Sequence, residues 1–452
     1  MLKGLRSAAA CLFVLHLGTA KGENWPQFRG AAGDGQATGS LLPEEWSAEK
    51  NLAWKAAIPG FGWSQPVVWG EKVFVTTAVS EKQSRPEESD WSPGGSGLFG
   101  NLFGIKPKPP DAVYQWKVYC LDQGTGKILW EQVAKEGKPT TTIHARNSYA
   151  TETPATDGER VIVSFGAAGL YCYDLAGKLL WSKDLGNPQI QMGWGTGSSP
   201  VIEGERVFVQ CDNHQKSFLV ALDKKTGEEL WRAARDEQSN WCTPVVWKNM
   251  VRTELVAGGG GKMRSYDLAK GDVLWEMAGS GRASASPVAT ADFVYVDSAD
   301  RLTGNRGIVA AIRPGASGDI SLAAGAEKND FVAWSTEVTG YRVASPLVLA
   351  KCLYIVGQRS GVMRCLDTET GKEHYRKRVP GAEAFTASPW AAGGKVFCLD
   401  QKGQTFVLEA GPEFKVVRTN SLADELSWAS AALTSDAVFL RSIDHLYCVR
   451  GR

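Results

Sequence analysis

The sequence lacks the short motifs that mark the common catalytic and metal-binding sites. Its nine cysteines form no Cys-x-x-Cys spacing and no adjacent pair, so a zinc knuckle and a c-type haem have no support. There is no G-x-S-x-G nucleophile elbow and no phosphate-binding loop. The glycine run 258–261 has neither a Lys-Ser/Thr ending nor a helical pattern after it, and it predicts a turn between strands. We therefore expect no metal site.

The chain also lacks an excess of charge of either sign. Lys and Arg number 50, Asp and Glu number 49, and the formal net charge is +1. Nucleic acids and anionic membrane surfaces attract proteins through clustered basic charge. This balance argues against both, and we expect no nucleic-acid partner.

Long apolar runs are missing as well, apart from a short one at the N-terminus. Lys3 and Arg6 precede the apolar stretch 8–17, and small residues ending at Ala20 supply a cleavage site. This pattern predicts a signal peptide at residues 1–20, and the stretch is too short for a membrane span. We expect an exported protein of the periplasm or cell envelope with no transmembrane segment.

A repeated phrase dominates the remainder of the chain. Each copy has a strand pattern, an Asp/Gly turn and a second strand that ends in an aromatic residue. Self-similarity at a period of about 40–50 residues, built from short strands, is the signature of a β-propeller. The copies lie at 120–130, 172–181, 221–231, 265–275 and 365–375.

These repeats predict an all-β fold, namely an eight-bladed β-propeller of four-stranded antiparallel blades over residues 51–452. The last repeat lacks its closing strand, whereas 51–54 resembles a closing strand with no repeat before it. The N-terminal strand should therefore complete the last blade and close the ring. Each blade opens at a Ser/Thr-Pro or a related pair, at Gln65, Thr153, Ser199, Thr243, Ser286, Ser345, Ser388 and Ser430.

Two segments depart from the repeat. Residues 21–50 are rich in glycine and predict an irregular N-terminal arm against the outside of the propeller. An insertion at 80–112 carries several apolar residues. It should dock either onto the protein's own rim or onto a partner or membrane surface.

The aromatic residue that closes each repeat is assigned to structure, because it can wedge between neighbouring blades and bury apolar surface. The Asp of each turn should cap its own hairpin backbone. Cysteines at equivalent repeat positions should be buried free thiols, and Cys211 with Cys242 is the one pair left open as a disulfide. The predicted docking residues are Trp54, Trp130, Trp181, Trp231, Trp275, Trp334 and Tyr375.

The repeats differ most where the inner strands begin, and we expect a ligand there. A pseudo-symmetric ring would gather these positions around one funnel, whose rings could stack on a flat ligand or a sugar, or grip a peptide. The alternative is that these side chains only plug the channel. The predicted funnel residues are Trp63, His144, Arg146, Asn147, Tyr149, Trp194, Asn240, Trp241, Arg342, Phe385 and Trp428.

The polar stretch 143–152 supplies the candidates for chemistry. Its His144, Arg146 and Asn147 could bind a carboxylate or a sugar, although a loop histidine in this setting is more often a surface hydrogen-bonding residue. Glu152, with Asp236 or Asp300, could serve in acid/base work and is the candidate catalytic residue.

The phrase Leu-Asp-x-x-Thr-Gly-x-x-x-Trp, which is clearest at 222–231, resembles the pyrroloquinoline-quinone (PQQ)-like propeller repeat. The chain is similar to the quinoprotein alcohol dehydrogenase-like superfamily, which also contains the non-catalytic BamB-type outer-membrane assembly factors. Residues 25–30 and 63–68 resemble exported PQQ-like proteins of planctomycete-type bacteria with no assigned role. This resemblance covers about residues 24–452 and implies the propeller fold.

The resemblance leaves two functions open. Quinoprotein dehydrogenases of this type use a vicinal disulfide, a calcium or lanthanide ion and a catalytic Asp, and the adjacent Cys pair is missing here. We expect a non-enzymatic, monomeric propeller without a cofactor, which binds a protein, peptide or glycan ligand of the cell envelope at its funnel. The alternative is a PQQ-dependent dehydrogenase that oxidises an alcohol or sugar with PQQ and Ca²⁺. There, Trp241 or Trp194 would stack on the quinone, and Glu152 or a nearby Asp would be the base.

Overall fold

The computed structural model describes residues 23–38, 42–83, 108–279, 284–298, 307–338, 342–358, 361–422 and 426–451. The predicted signal peptide, residues 84–107 of the insertion and Asp300 lie outside the described residues. Regular structure is almost entirely β, with two short 3₁₀ helices at Gly166–Ala168 and Gln191–Gly193. None of the helices in the described ranges is long and apolar enough to cross a membrane.

The described strands form eight sheets, and each sheet is one blade. Blade 1 contains β2 (Val67–Trp69), β3 (Lys72–Val79), β4 (Tyr114–Asp122) and β5 (Ile128–Gly137). Blade 2 contains β6 (Ala155–Thr156), β7 (Arg160–Ser164), β8 (Leu170–Asp174) and β9 (Leu179–Lys183). Blade 3 contains β10 (Val201–Glu203), β11 (Arg206–Cys211), β12 (Ser217–Asp223) and β13 (Glu229–Arg235). Blade 4 contains β14 (Val245–Lys248), β15 (Thr253–Ala257), β16 (Lys262–Tyr266) and β17 (Val273–Ala278).

The second half of the ring repeats this order. Blade 5 contains β18 (Val288–Ala289), β19 (Val294–Ser298), β20 (Gly307–Ile312) and β22 (Val332–Val338). Blade 6 contains β23 (Leu347–Leu349), β24 (Cys352–Val356), β25 (Val362–Asp367) and β26 (Glu373–Arg378). Blade 7 contains β27 (Trp390–Ala392), β28 (Lys395–Leu399), β29 (Gln404–Glu409) and β30 (Val416–Ser421). Blade 8 contains β31 (Ala432–Leu433), β32 (Ala437–Arg441), β33 (His445–Arg450) and the N-terminal β1 (Leu52–Ala57).

The ring closes as the sequence predicts. The N-terminal β1 pairs antiparallel with β33, with Leu52 opposite Val449 and Ala57 opposite His445. Blade 8 is therefore built from both ends of the propeller chain. This pairing leaves no open seam between blade 8 and blade 1, where an unpaired edge would otherwise be exposed.

The burial of each strand follows its place in the blade. In blade 3 the two middle strands β11 and β12 are buried over almost their whole length, because neighbouring blades cover both faces. The outermost strand β13 instead alternates exposed and partly buried residues. Continuous apolar runs in the middle strands and alternation at the rim are the pattern that face-to-face packing of blades requires.

The closing tryptophans dock on the turn of the next blade. The indole N–H of Trp231 donates to the backbone oxygen of Leu268 at 3.0 Å. Its ring lies against Gly271, where a β-carbon would be 2.5 Å from the indole. The equivalent donations run from Trp54 to Gln123, Trp130 to Leu175, Trp181 to Lys224 and Trp334 to Thr368, at 2.9–3.1 Å.

The aspartates of these turns cap their hairpins. The carboxylate of Asp223 accepts the backbone N–H groups of Lys225 and Thr226 at 2.8 and 2.9 Å. These hydrogen bonds fix the shape of the turn, against which the closing tryptophan of the preceding blade packs. The same arrangement recurs at Asp122, Asp174, Asp267 and Asp367.

Two of the predicted docking residues depart from this pattern. The indole N–H of Trp275 donates to the carboxylate of Glu254 in its own blade at 2.8 Å, because blade 5 has no Asp/Gly turn to receive it. Residues between β20 and β22 instead return to blade 4, where β21 (Gly318–Asp319) pairs parallel with β17. Tyr375 packs its ring edge-on against Phe414, with the ring centroids 5.3 Å apart.

The N-terminal arm differs from its prediction. It crosses one end of the central channel instead of packing outside the propeller. Trp25 forms a β-bridge with Val68 of blade 1, and Gln36 forms one with Ala391 of blade 7. Between them, the guanidinium of Arg29 donates to the backbone oxygens of Ser345 and Pro346 at the start of blade 6, at 3.2 and 2.7 Å.

Candidate functional site

A ring of hydroxyl groups lines the central channel. The backbone N–H of Gln65 donates to the hydroxyl of Thr153 at 3.1 Å, and the N–H of Thr153 donates to the hydroxyl of Ser199 at 3.0 Å. The ring continues through Thr243, Ser286, Ser345, Ser388 and Ser430, with donor–acceptor distances of 2.9–3.0 Å. Each Ser/Thr-Pro position thus joins its blade to the preceding one.

Gln65 fills the one position of this ring that carries no hydroxyl. Its side-chain amide donates to the backbone oxygen of Ala431 in blade 8, and its side-chain oxygen accepts the backbone N–H of Arg29 at 2.8 Å. The residue that breaks the Ser/Thr pattern therefore ties the arm to the ring at the seam between blades 8 and 1.

A cavity of about 190 Å³ lies on the channel axis. The hydroxyl ring forms its lower wall, and Phe28 of the arm also lines it, directly before the buried Arg29. The arm therefore gives the channel a floor, and the cavity takes the shape of a cup. Four indoles line its mouth: Trp63, Trp194, Trp241 and Trp428.

These four indoles stand in two pairs. The ring centroids of Trp63 and Trp428 are 4.8 Å apart, and those of Trp194 and Trp241 are 6.0 Å apart, both with tilted planes. Backbone oxygens hold two of the rings, since Trp63 donates to Arg146 and Trp241 donates to Gly195, at 3.0 and 2.7 Å. The aromatic wall is consequently fixed before any ligand enters.

The predicted polar cluster lies between the two pairs on the cavity wall. The guanidinium of Arg146 sits 5.6 Å from the ring centroid of Trp428, a cation–π contact. His144 packs edge-on against Trp194 and accepts the backbone N–H of Arg146 at 3.2 Å. Burial, followed by the charge of Arg146, lowers the pKa of His144 to about 4, so this imidazole is neutral near pH 7. Asn147 donates to the backbone oxygen of Trp194 at 2.8 Å.

Four residues predicted for the funnel do not line the cup: Tyr149, Phe385, Arg342 and, in a second cavity described below, Asn240. Tyr149 turns outward and packs against Tyr114 and Trp116 of blade 1, with its hydroxyl donating to the backbone oxygen of Thr141. Phe385 is fully buried in the core of blades 6 and 7. The guanidinium of Arg342 forms a buried ion pair with Asp297 in blade 5.

Glu152 and Asn240 lie together in a second cavity, of about 250 Å³, between blades 2 and 3. We call it the inter-blade cavity. Glu152 directly precedes Thr153 of the hydroxyl ring, so its side chain points away from the channel while that of Thr153 points toward it. Burial raises the pKa of Glu152 to about 7, and a hydrogen bond with Thr196 opposes part of that rise. Asp236 instead pairs with Arg264, so it is not the partner of Glu152 that the sequence suggested.

The cysteines contribute no cross-link. The eight cysteines in the described ranges are all free thiols, including Cys211 and Cys242. Burial raises the pKa of both thiols to about 12, so neither is a reactive thiolate near neutral pH.

The fold and this cavity define the class of protein. It is an eight-bladed propeller with an aromatic-walled cup on its axis, and the cup is closed at one end. Residues 116–313 and 316–442 match the family described as outer membrane protein assembly factor BamB, and the chain belongs to this PQQ-like family. None of the curated proteins matches the sequence.

Solved structures of low sequence identity share the fold. BamB from Moraxella catarrhalis superposes with a TM-score of 0.53 at 14% identity, covering 73% of this chain and 90% of that chain. The computationally designed Ika8 protein gives 0.52 at 13% identity, covering 75% and 92%. Quinohemoprotein alcohol dehydrogenase from Comamonas testosteroni gives 0.50 at 13% identity, covering 95% and 81%. At these identities the likeness concerns fold alone, and it includes both a BamB and an alcohol dehydrogenase.

The central cavity does not match the demands of PQQ. That cofactor is a flat quinone bearing several carboxylates, which need cationic partners and a coordinated metal. Among the described residues that line the cup, only Arg146 carries a permanent charge, and it lies over Trp428. No group of three His, Cys, Asp or Glu that could hold a metal occurs within the described ranges. The ring centroids of Trp194 and Trp241 are 6.0 Å apart, which is too close for a quinone to be sandwiched between these two indoles.

Proposed function

We propose that this protein is a non-enzymatic binding propeller of the cell envelope, which holds a partner protein by taking one uncharged aromatic or aliphatic side chain into the central cup. The observation that carries this proposal is the combination of a fixed indole wall with a closed floor. A preformed apolar cavity with few convergent polar groups is the usual form of such a site. The family description, an outer membrane protein assembly factor, supports a protein as the partner.

The charges of the residues that line the cup favour an uncharged side chain as its ligand. His144 is neutral, and Arg146 is already in contact with Trp428. A guest carboxylate would find one cation, and a guest ammonium would find no carboxylate among the described residues of the cup wall. A buried charge without a partner costs several kcal/mol, so a charged guest would bind less well than a neutral one of equal size.

One further donor suits a peptide. The buried indole N–H of Trp428 has no hydrogen-bond partner among the described residues. A backbone carbonyl next to the inserted side chain could accept it, and satisfying a buried donor contributes about 1 kcal/mol. The cup thus offers stacking surface for a side chain and one donor for the amide beside it.

The test is a calorimetric titration of the mature protein with N-acetyl-tryptophanamide and N-acetyl-leucinamide. The charged control is the α-amide of N-acetyl-aspartic acid, whose side-chain carboxylate is free. Saturable binding of the two neutral amides, lost in Trp241→Ala and retained in Met250→Ala, supports the proposal. Met250 is 86% exposed and lies outside the cavity wall, so its replacement controls for general effects. If neither amide binds, the proposal is refuted, and methyl glucoside binding that Trp241→Ala abolishes would then assign the cup to glycans.

A further inference from the structure

The inter-blade cavity is separate from the cup and has its own chemistry. Its volume is about 250 Å³, and Thr196 and Gly197 form the partition between the two, since they line both. Its inner wall comes from residues just before the inner strands of blades 2 and 3 and from the end of β11. The central cup is mostly aromatic and hydroxylic, whereas the residues that line this cavity include five amide and two carboxyl side chains.

Four polar atoms of this wall are buried without a hydrogen-bond partner among the described residues: Glu152 Oε1, Ser198 Oγ, Gln210 Oε1 and Asn240 Nδ2. The four residues are 2%, 9%, 3% and 4% exposed, so bulk water does not reach them freely. A buried polar group left unpaired costs about 1–3 kcal/mol. Four of them on one wall mark a place where something else supplies the partners.

Neighbouring bonds fix the direction of the two amides. Gln210 donates its side-chain N–H groups to Asp212 and to the backbone oxygen of Gly258, at 2.7 and 2.8 Å. Asp212 is itself held by Arg235 through two bonds of 2.8 and 3.1 Å. Both partners are acceptors, so the amide nitrogen of Gln210 must face them. The side-chain oxygen of Gln210 is then the atom without a hydrogen-bond partner among the described residues.

The orientation of the Asn240 side-chain amide follows from its hydrogen bond in the same way. The side-chain oxygen of Asn240 accepts the backbone N–H of Cys242 at 2.9 Å, so its Nδ2 is the group left over. The unpaired atoms of these lining residues are therefore an acceptor at Gln210, a donor at Asn240, and the hydroxyl of Ser198, which can do either. Hydroxyl groups are the ligand groups that meet such a mixed set, since each can donate and accept at once.

Charge in the buried part of the wall is largely compensated, and the remaining basic residue, Lys216, is exposed to solvent. Asp212 and Arg235 form a buried pair, and Arg232 pairs with Glu229 through bonds of 3.0 and 2.6 Å. Glu152 carries no cationic partner in its hydrogen bonds, and burial favours its neutral form, which can also donate. An uncharged guest avoids both repulsion and desolvation of a second charge.

We propose that the inter-blade cavity is a second binding site, which takes a small uncharged polyhydroxy compound of about the size of a monosaccharide. Sites for drug-sized ligands occupy roughly 300–1,000 Å³, so a cavity of about 250 Å³ suits a single ring bearing hydroxyls. This site does not depend on the function proposed for the cup.

The experiment is calorimetric titration of the mature protein with methyl α-glucopyranoside and with myo-inositol, using glucuronate and cyclohexanol as the charged and the hydroxyl-poor controls. Ser198→Ala and Asn240→Asp change one unpaired atom each while conserving volume. We expect at least one of the two polyols to bind in preference to both controls, and each variant to weaken it about tenfold, the equivalent of 1.4 kcal/mol. Met250→Ala, at a residue that is 86% exposed and lines neither cavity, should leave this affinity unchanged.

Two results would overturn the inference. If neither polyol binds while circular dichroism shows the protein folded, the cavity holds ordered water only. If a polyol binds but Trp241→Ala abolishes the binding and Ser198→Ala and Asn240→Asp do not affect it, the polyol occupies the cup instead. Thermal unfolding of each variant, measured alongside, separates loss of binding from loss of fold.

Discussion

Gly271 lies directly beneath the indole of Trp231 from the preceding blade, so close that a β-carbon there would stand 2.5 Å from the ring. The glycine of each Asp/Gly turn thus serves two purposes. It adopts a left-handed backbone, with φ of +76° at Gly271, and it leaves room for the docking tryptophan. This contact explains why the turn and the closing tryptophan recur together in the sequence.

The first prediction concerns this contact. Gly271→Ala should lower the free energy of unfolding by roughly 3 kcal/mol or more, because it adds displacement of the indole to backbone strain. Gly204→Ala is the matched control, since Gly204 also has a positive φ (+59°) but nothing lies within 4 Å of its β-carbon position. It should cost about 1–2 kcal/mol. Equal costs in urea denaturation would show that the indole does not rest on Gly271.

The second prediction concerns the hydroxyl ring. Ser388→Ala removes the acceptor of the buried Ser345 N–H and should cost about 1–3 kcal/mol. Ser182, which is exposed on the outer strand β9, is the control, and Ser182→Ala should fall within about 0.5 kcal/mol of the parent protein. Indistinguishable denaturation midpoints for the two variants would refute a structural role for the ring.

The third prediction concerns the floor of the channel. Arg29→Ala leaves the carbonyls of Ser345 and Pro346 without their donor and should lower stability by roughly 2–4 kcal/mol. Lys50→Ala, which removes an exposed ion pair with Glu45, should cost less than about 1 kcal/mol. If thermal unfolding of Arg29→Ala matches that of Lys50→Ala, the arm is not anchored in the channel.

The fourth prediction concerns pH. The pKa of Glu152 is about 7 in the folded protein against an ordinary value of 4.5, so folding favours its protonated form. Its contribution to stability is complete below about pH 4.5 and is lost as the pH rises through about 7. Between these limits, Glu152→Gln should gain roughly 2–4 kcal/mol relative to the parent protein. Parallel stability curves for the two proteins, from urea denaturation at several pH values, would contradict the raised pKa.

Much of the architecture could be predicted from the sequence because the repeat carries it. Contacts between neighbouring blades are made by the Asp/Gly turn, the closing tryptophan and the Ser/Thr-Pro pair. Each of these features therefore recurs in every blade that makes the corresponding contact. The loss of the Asp/Gly turn in the segment between β20 and β22 of blade 5 was visible as a gap in the repeated phrase between residues 275 and 365, but its cause was not. That segment returns to blade 4 as β21, and the sequence of blade 5 carries no sign of this destination.

The cavities could be predicted only in part. Trp63, Trp194, Trp241 and Trp428 do line one mouth, because they occupy nearly equivalent positions before inner strands. Tyr149 and Phe385 lie close to equivalent positions along the chain, but their side chains pack into the blades, away from the channel. The direction of a side chain in an irregular segment depends on tertiary packing. Phe28 was missed because nothing in the glycine-rich arm marks it as a floor. Gln65 was the available clue, as the one ring position without a hydroxyl.

We propose that the cup holds an uncharged side chain and not a quinone cofactor. The most direct measurement is a parallel calorimetric titration of the mature protein with N-acetyl-tryptophanamide and with PQQ plus Ca²⁺, followed by a dye-linked assay on simple alcohols and sugars. We predict saturable binding of the amide that Trp241→Ala abolishes, no stoichiometric binding of PQQ and no dye reduction. Stoichiometric PQQ binding with turnover of an alcohol or sugar would contradict the account.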